Sequence, residues 1–272
     1  MADGKPVFLV IGAGAGIGGH AAARFAAGGY HAVLARRSDE EGLARLVGEI
    51  EAAGGTASGT LLNAAEDGAI EELVARVERD IGPIGCALYN LGAQIGNRSL
   101  ADTPHRIFEL GWRLACFGVF RLAHAMFPAM VARGKGSLLV TSATAAMRGN
   151  AGQHSHAAAM GGRRMLCQTL NAEFAPRGIH VAHVVVDGPV RSPDTLVKLL
   201  GDKWDAFEAA KGTDGIIDPA TLAETYWHLA QQPKNCWTHE LDVRPFTDVP
   251  WWNDNPDPTI NASGKGFAGP KE

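Results

Sequence analysis

Apolar residues recur along this chain in two alternating rhythms. Pro6 to Ile11 is a short run rich in Val, Leu and Ile that ends at a glycine cluster, and a helical stretch follows from about Ile17 to Ala27. His31 to Ala35 predicts a second strand. Ser38 and Glu41 then form an S-x-x-E capping box before a helix whose stripe is Leu43, Leu46, Val47 and Ile50, and Gly54 and Gly55 stop it.

The rhythm continues with a third strand at Thr56 to Leu62 and a helix striped by Ile70, Leu73, Val74, Val77 and Ile81. Ile84 to Asn90 and Ser137 to Ser142 predict strands, with a long helix from Thr103 to Val131 between them. A further helix is expected from about Ser155 to Ala175. Ile179 to Val186 is a continuous apolar run, suited to a strand buried on both faces. After Pro189 the pattern loosens into short helices at Thr195 to Leu200 and Trp204 to Ala210, a better one at Pro219 to Ala230, and a last strand at Cys236 to Val243. Strands alternating with helices at this spacing predict an α/β, Rossmann-type, doubly wound parallel sheet of about seven strands in a single domain. That domain is expected over residues 1–245, with a substrate lid at about 190–217 and an irregular Pro- and Gly-rich tail over 246–272. Two adjacent tryptophans, Trp251 and Trp252, seldom sit free in water, so the tail is expected to dock there on the body or on a neighbouring subunit.

Composition narrows the partners. Lys and Arg number 25 against 29 Asp and Glu, a net charge of −4, so nothing favours nucleic acid or an anionic membrane, and a small-molecule substrate is expected. The first apolar run is too short for a secretory segment, and no later run approaches membrane-spanning length, which predicts a soluble, unprocessed, cytoplasmic protein. Cys86, Cys116, Cys167 and Cys236 have no C-x-x-C spacing and read as buried free thiols. The pairs His154/His156 and His180/His183 are two residues apart, which does not aim two imidazoles at one ion from a helix, so no metal is expected.

Gly12, Gly14, Gly16 and Gly18 fall where the first strand meets the first helix. Glycine is needed there because the turn takes unusual dihedrals, the backbone must approach a pyrophosphate closely, and the helix N-terminus offers unpaired amides and a positive dipole end. Gly12-Ala13-Gly14-Ala15-Gly16-Ile17-Gly18 resembles the T-G-x-x-x-G-x-G turn of the short-chain dehydrogenase/reductase family, with Ile11 in place of the usual Thr. Three further stretches stand in family order. Tyr89-Asn90-Leu91-Gly92 resembles its N-N-A-G, Arg177-Gly178-Ile179-His180-Val181 its R-G-I-x-V, and Asp187-Gly188-Pro189-Val190 its P-G-P-V with Asp for Pro. The resemblance spans residues 6 to 243 and implies strand order 3-2-1-4-5-6-7 and a homodimer or homotetramer.

The second strand ends Leu34-Ala35-Arg36-Arg37, where NAD-preferring relatives carry an Asp for the adenosine ribose. A guanidinium at Arg36, with Arg37 beside it, instead suits the 2′-phosphate of NADP, so NADP(H) is expected over NAD(H). By the same resemblance Asn63 and Ala64 flank the adenine, Asn90, Leu91 and Gly92 line the middle of the cofactor, and Gly188 and Val190 lie beside the nicotinamide carboxamide.

Family catalysis uses a Tyr as proton donor, a Lys four residues later that lowers the Tyr pKa, a Ser that holds the substrate oxygen, and an Asn in the long helix. Counted along this chain, the Ser position falls on Ser142, the Tyr position on Ser155, the Lys position on Ala159 and the Asn position on Ala115. No Tyr-x-x-x-Lys exists anywhere: the residues four after Tyr30, Tyr89 and Tyr226 are Leu34, Ala93 and Ala230. His154 and His156 flank the vacant position, and an imidazole titrates near neutrality. One of them, with Ser142 or Ser155 polarising the substrate oxygen, is the candidate replacement for the Tyr; the alternative is that both are surface residues at a helix start and Ser142 only ends a strand. Arg148, Gln153, Arg163 and Arg164 read either as anion binders or as exposed side chains. Gly161 and Gly162, costly inside a helix, suit a close helix crossing. Two functions remain open: an atypical NADP(H)-dependent oxidoreductase acting on a carbonyl, alcohol or imine, and a catalytically silent NADP(H)-binding protein serving as sensor, scaffold or partner subunit.

Overall fold

The computed structural model describes residues 4–92, 97–212 and 214–252. Seven strands form one sheet: β1 Val7–Ile11, β2 His31–Arg36, β3 Thr56–Leu61, β4 Ile84–Tyr89, β5 Gly136–Ala143, β6 Ile179–Val186 and β7 Glu240–Val243. Their order is β3-β2-β1-β4-β5-β6-β7 and every pairing is parallel, as expected.

Nine helices connect them among the described residues: α1 Ile17–Ala27, α2 Glu40–Ala52, α3 Ala69–Arg76, α4 His105–Trp112, α5 Gly118–Arg133, α6 His154–Phe174, the short α7 Lys198–Leu200, α8 Trp204–Lys211 and α9 Pro219–Gln231. Alternate residues of β1 enter opposite layers. Val7, Leu9 and Ile11 pack with α3, α5 and α6, whereas Phe8 and Val10 pack with α1, α2 and α9. A strand covered on both faces needs apolar residues at every position, and β1 is buried throughout.

Several expectations change in the folded chain. The cap of α2 is Asp39 rather than Ser38: Asp39 takes a left-handed conformation (φ 67°) and its carboxylate accepts the Gly42 amide at 2.9 Å. That shift needs glycine three residues on, because a Cβ on Gly42 would fall 2.2 Å from the Asp39 carboxylate. The long helix expected at Thr103 to Val131 runs from His105 to Arg133 and is interrupted by a π-helical turn at Arg113–Phe117. Side chains draw off two carbonyls in this turn: the Tyr89 hydroxyl donates to Leu114 and the Arg163 guanidinium donates to Ala115. Opened carbonyls are a physical cause of a wider turn.

By length and composition that helix could cross a membrane, contrary to the expectation that no run comes close. Its apolar face, Val119, Leu122, Met126, Phe127 and Met130, lies instead in the core against the sheet. The last strand is shorter than Cys236 to Val243, beginning at Glu240. The residues before it turn back on Gln232, whose amide oxygen accepts the Thr238 amide at 2.8 Å and whose backbone carbonyl accepts the Trp237 indole N–H. Three cysteines are buried, but Cys236 is exposed.

The start of the tail docks on the body as expected. The Trp251 amide donates to Asp187 and its indole to Asp242, each at 2.9 Å, while the Arg244 guanidinium lies 4.0 Å from the Trp252 ring centre. Residues 253–272 of the expected tail and Thr213 of the expected lid fall outside the described residues.

Candidate active site

The glycine turn sits at the C-terminal end of β1, beside β4, where the strand order reverses direction. Such switch points are where open α/β sheets bind their ligands. Gly12 takes φ 100°, and the amides of Gly12 and Ala13 both reach the Ala35 carbonyl of β2 at 2.9 and 3.0 Å. The Asn90 side chain, just past β4, donates to the Gly12 carbonyl at 3.1 Å and so fixes the turn from the other side. A Cβ on Gly18 would lie 2.4 Å from the Gly12 carbonyl oxygen, so α1 can start this close to the strand only as glycine.

Gly16 caps α1 with no side-chain partner for the helix amides. The Ala15 amide of the turn has a side-chain acceptor from a distant part of the chain. The Ala15 N–H donates at 3.0 Å to the carboxylate of Asp194, which stands in a π-helical turn at Pro193–Val197 after β6. The same carboxylate oxygen lies 3.3 Å from Arg36 Nη2, and Asp39 approaches that nitrogen at 3.1 Å. Arg36 Nη1 is enclosed with no hydrogen-bond partner. A backbone amide and a guanidinium converging on one carboxylate form a cradle that accepts an anion, and the spare Nη1 leaves capacity for more oxygens than a carboxylate brings. These residues fit an anionic group of a dinucleotide. Arg37 is exposed at the end of β2.

Other cofactor candidates fall around the same edge of the sheet. Asn63 closes a local turn, donating to Glu66 at 2.9 Å and accepting from Ala65 at 3.3 Å, and Ala64 is buried beside it. Leu91 and Gly92 follow β4. Val190 forms an isolated parallel bridge with Ile217 that joins the two ends of the segment between them, and a Cβ on Gly188 would stand 2.5 Å from Pro245.

The four positions expected from the resemblance to be catalytic contain little polar chemistry. Ser142 is buried and its Oγ has no hydrogen-bond partner. The Ser155 hydroxyl donates to the Phe108 carbonyl at 3.1 Å, so it is committed to the contact between α6 and α4. Ala115 and Ala159 are fully buried and pack with Ala145 and Met160 in one apolar cluster. His154 and His156 line a small recess with Arg98, Thr103, Ile107 and Ser155. His156 is half-buried with Nδ1 enclosed and unpartnered, and burial, reinforced by the positive charge of Arg163, holds its imidazole below the ordinary histidine range.

Arg163, expected either at the surface or on an anionic substrate, does neither. It is 1% exposed, and it clamps three backbone carbonyls from three elements: Ala115 in the π turn at 2.6 Å, Thr141 in β5 and Leu91 after β4. All three polar partners are neutral, with the Tyr89 ring face 5.5 Å from the guanidinium carbon. Its neighbours in the sequence reading are tied down elsewhere. Arg164 makes a bidentate pair with Glu240 of β7, Arg148 donates to the Trp251 carbonyl, and Gln153 donates to Asn97.

The model of the family described as short chain dehydrogenase matches residues 6–196. This chain is a member of the short-chain dehydrogenase/reductase family. It is 32% identical over 242 residues to the short-chain reductase protein NovJ of Streptomyces niveus, covering 87% of this chain and 91% of that protein. Among solved structures, a short-chain dehydrogenase from Rhodopseudomonas palustris is similar at 33% identity with a TM-score of 0.74, covering 89% of this chain and 99% of that one. An actinorhodin polyketide ketoreductase crystallised with NADPH is similar at 27% identity with a TM-score of 0.79, covering 90% and 98%. As a family member the chain has the Rossmann scaffold of an oxidoreductase that handles small molecules.

Residues 192–194 and Arg163 were not singled out as cofactor or core residues from sequence. Asp194 meets Ala15 across 179 positions, and nothing local in Ser192-Pro193-Asp194 signals that contact. Arg163 had one signal: it follows Gly161 and Gly162, and a Cβ on Gly162 would stand 3.1 Å from Cys116, which marks the close crossing that encloses it.

Proposed function

We propose that this short-chain dehydrogenase/reductase is an atypical NADP(H)-dependent oxidoreductase acting on a small-molecule carbonyl, alcohol or imine. The observation that carries the reading is the convergence of the Ala15 amide and the Arg36 guanidinium on one anion position, with a spare enclosed Nη1. A bound nicotinamide would supply or accept the hydride at the C-terminal edge of β4 to β6.

In this reading His156, of the two histidines, moves the proton. Its enclosed, unpartnered Nδ1 is a donor or acceptor with no competing bond. Since burial favours the neutral imidazole, His156 acts as base when an alcohol is oxidised and offers an N–H, rather than a full cation, when a carbonyl is reduced. An imine that arrives already protonated asks less of it. Ser142, with an uncommitted hydroxyl, holds the substrate oxygen or nitrogen. The Arg163 charge beneath them favours negative charge on the substrate oxygen, the electrostatic duty that the vacant Lys position would otherwise serve.

The homo-oligomer expected from the resemblance is supported by exposed apolar side chains on α4, α5 and α6, namely Phe108, Trp112, Phe120 and Met165, with Trp112 and Phe120 both stacked on Phe117. A Cβ on Gly161 would meet nothing within 4 Å, which leaves room on α6 for a neighbouring helix. Exposed apolar patches such as the Trp112, Phe117 and Phe120 stack mark interaction surfaces.

A second reading, a silent NADP(H)-binding subunit, draws on the alanine cluster, because that packing leaves the Lys and Asn positions without polar groups. Calorimetric titration with NADPH and NADH, followed by cofactor consumption across a panel of carbonyls and imines, separates the readings. NADPH is expected to bind at least tenfold tighter than NADH and to be consumed with part of the panel. Tight binding without consumption favours the silent subunit, and no heat from either dinucleotide removes both.

A further inference from the structure

The segment that follows β6 lies directly on the glycine turn. Ser192 Oγ stands 2.7 Å from the point where a Cβ on Gly16 would be, and the Asp194 carboxylate is 3.5 Å from the corresponding point on Gly14. The π turn that carries Asp194 is closed by the Thr195 and Val197 amides on the Ser192 carbonyl, at 3.2 and 3.0 Å. Its root is held by the Val190 to Ile217 bridge. The carboxylate is therefore presented to the turn by a short, hydrogen-bonded arm rather than by a free side chain.

Arg36 Nη2 already lies between two carboxylates. Asp39 is committed to capping α2 through the Gly42 amide, whereas Asp194 has the Ala15 amide and Arg36 as its polar partners. A third anion cannot be added to this cluster without repulsion, and Asp194 is the one free to leave.

We propose that Asp194 is a cofactor-selecting residue, a carboxylate of the chain that competes with the adenosine 2′-phosphate for the Ala15 amide and the Arg36 guanidinium. The proposal rests on the reading that this turn binds NADP(H), and deepens it. A dinucleotide with a 2′-phosphate has to displace the carboxylate and then replaces it as partner of both donors. Both dinucleotides bring a pyrophosphate to the turn beneath Ser192, but one without the 2′-phosphate brings no second anion to the Ala15 amide and Arg36, so the Asp194 contact costs it less. Asp194 thereby narrows the preference that Arg36 alone would impose, and it couples entry of the phosphorylated cofactor to movement of the arm that begins the lid.

The test is calorimetric titration of the full-length wild type, Asp194→Asn and Asp194→Ala with NADPH, NADH and adenosine 2′,5′-bisphosphate. Asp194 is 29% exposed, so both variants should fold, which circular dichroism checks. Asparagine keeps an acceptor for the Ala15 amide but removes the charge facing Arg36. Both variants are expected to bind NADPH and the bisphosphate about tenfold tighter than wild type, with NADH changed less than threefold. Binding of NADPH that is unchanged, or tightened equally for NADPH and NADH, overturns the selecting role while leaving the cofactor reading intact. Absence of heat from every protein with every dinucleotide is a different failure: it sinks the cofactor reading and takes the role of Asp194 with it.

Discussion

The Arg163 guanidinium donates to the Ala115 carbonyl oxygen at 2.6 Å, inside the core and across the contact between α6 and the π turn of the long helix. Ala115 itself stands where an Asn is expected, so the polar group at this point comes from a side chain two helical turns beyond Ser155. Replacing Arg163 by Met keeps most of the volume but leaves the carbonyls of Ala115, Thr141 and Leu91 without donors in a dry site. Each orphaned buried carbonyl costs about 1–3 kcal/mol, offset by relief of the guanidinium's own desolvation. Arg163→Met is expected to lose on the order of 3 kcal/mol in urea denaturation, and an unchanged midpoint would show that the clamp contributes nothing net.

Arg36→Ala removes the cation from the anion cradle. The NADPH dissociation constant, followed by cofactor fluorescence, is expected to rise by roughly 10- to 100-fold, the worth of a charge-assisted pair of about 1.5–3 kcal/mol, with NADH changed less than threefold. Equal losses for both dinucleotides would place Arg36 in the scaffold rather than on the phosphate.

The two histidines are predicted to separate. His156→Gln should lower kcat by about 10²-fold or more, whereas His154→Gln should stay within about threefold of wild type. Because His156 is held on the low side of the histidine range, the rate of alcohol oxidation should rise with pH through that depressed value and be flat above neutrality. Identical pH profiles for wild type and His156→Gln would end its role in proton transfer.

Restoring the family pair as counted from sequence, by Ser155→Tyr with Ala159→Lys, is expected to fail. Ala159 is fully enclosed among Ala115, Ala145 and Met160, and the Ser155 hydroxyl is bonded to α4. A lysine there overpacks the cluster and buries an unpaired charge, so the double variant should lose several kcal/mol, on the order of 3 or more, and gain no turnover. A well-folded, active double variant would reopen the cluster as a catalytic pocket.

Stability should fall on acidification through the buried histidines. Burial pushes His183 down to about 4 although the Glu240 carboxylate lies 3.2 Å from its Nδ1, so at neutral pH that contact is a hydrogen bond from a neutral ring. The unfolded chain takes up this proton near pH 6.5 and the folded chain only near 4. The contribution is therefore complete above 6.5 and lost as pH falls toward 4, up to about 3 kcal/mol. Glu240, held low by its hydrogen bonds to Arg164, adds a loss of the same sign below the ordinary carboxylate range. Urea denaturation at pH 7.5 and 4.5 should show the drop, and His183→Asn should flatten it; a variant that retains the full slope would refute the assignment.

Much of the molecule could be read from short-range pattern. The seven strands, their helices and the glycine turn follow from apolar periodicity and from dihedrals open only to glycine, and Arg36 was singled out because it ends the second strand where the family resemblance places an Asp in NAD-preferring relatives. The family resemblance then supplied the strand order. The capping of α2 by Asp39 was missed by one residue because Ser38 and Asp39 are both good caps, and only the space above Gly42 chooses between them. Whether Arg163 would be surface or core, and what would lie on the glycine turn, depended on groups brought together from distant parts of the chain: three carbonyls from three elements in the first case, a carboxylate 179 residues away in the second. Periodicity decides which face of an element is buried, but the hydrogen bonds that let a charge be buried, or hold an anion against a turn, exist only once separate elements have packed.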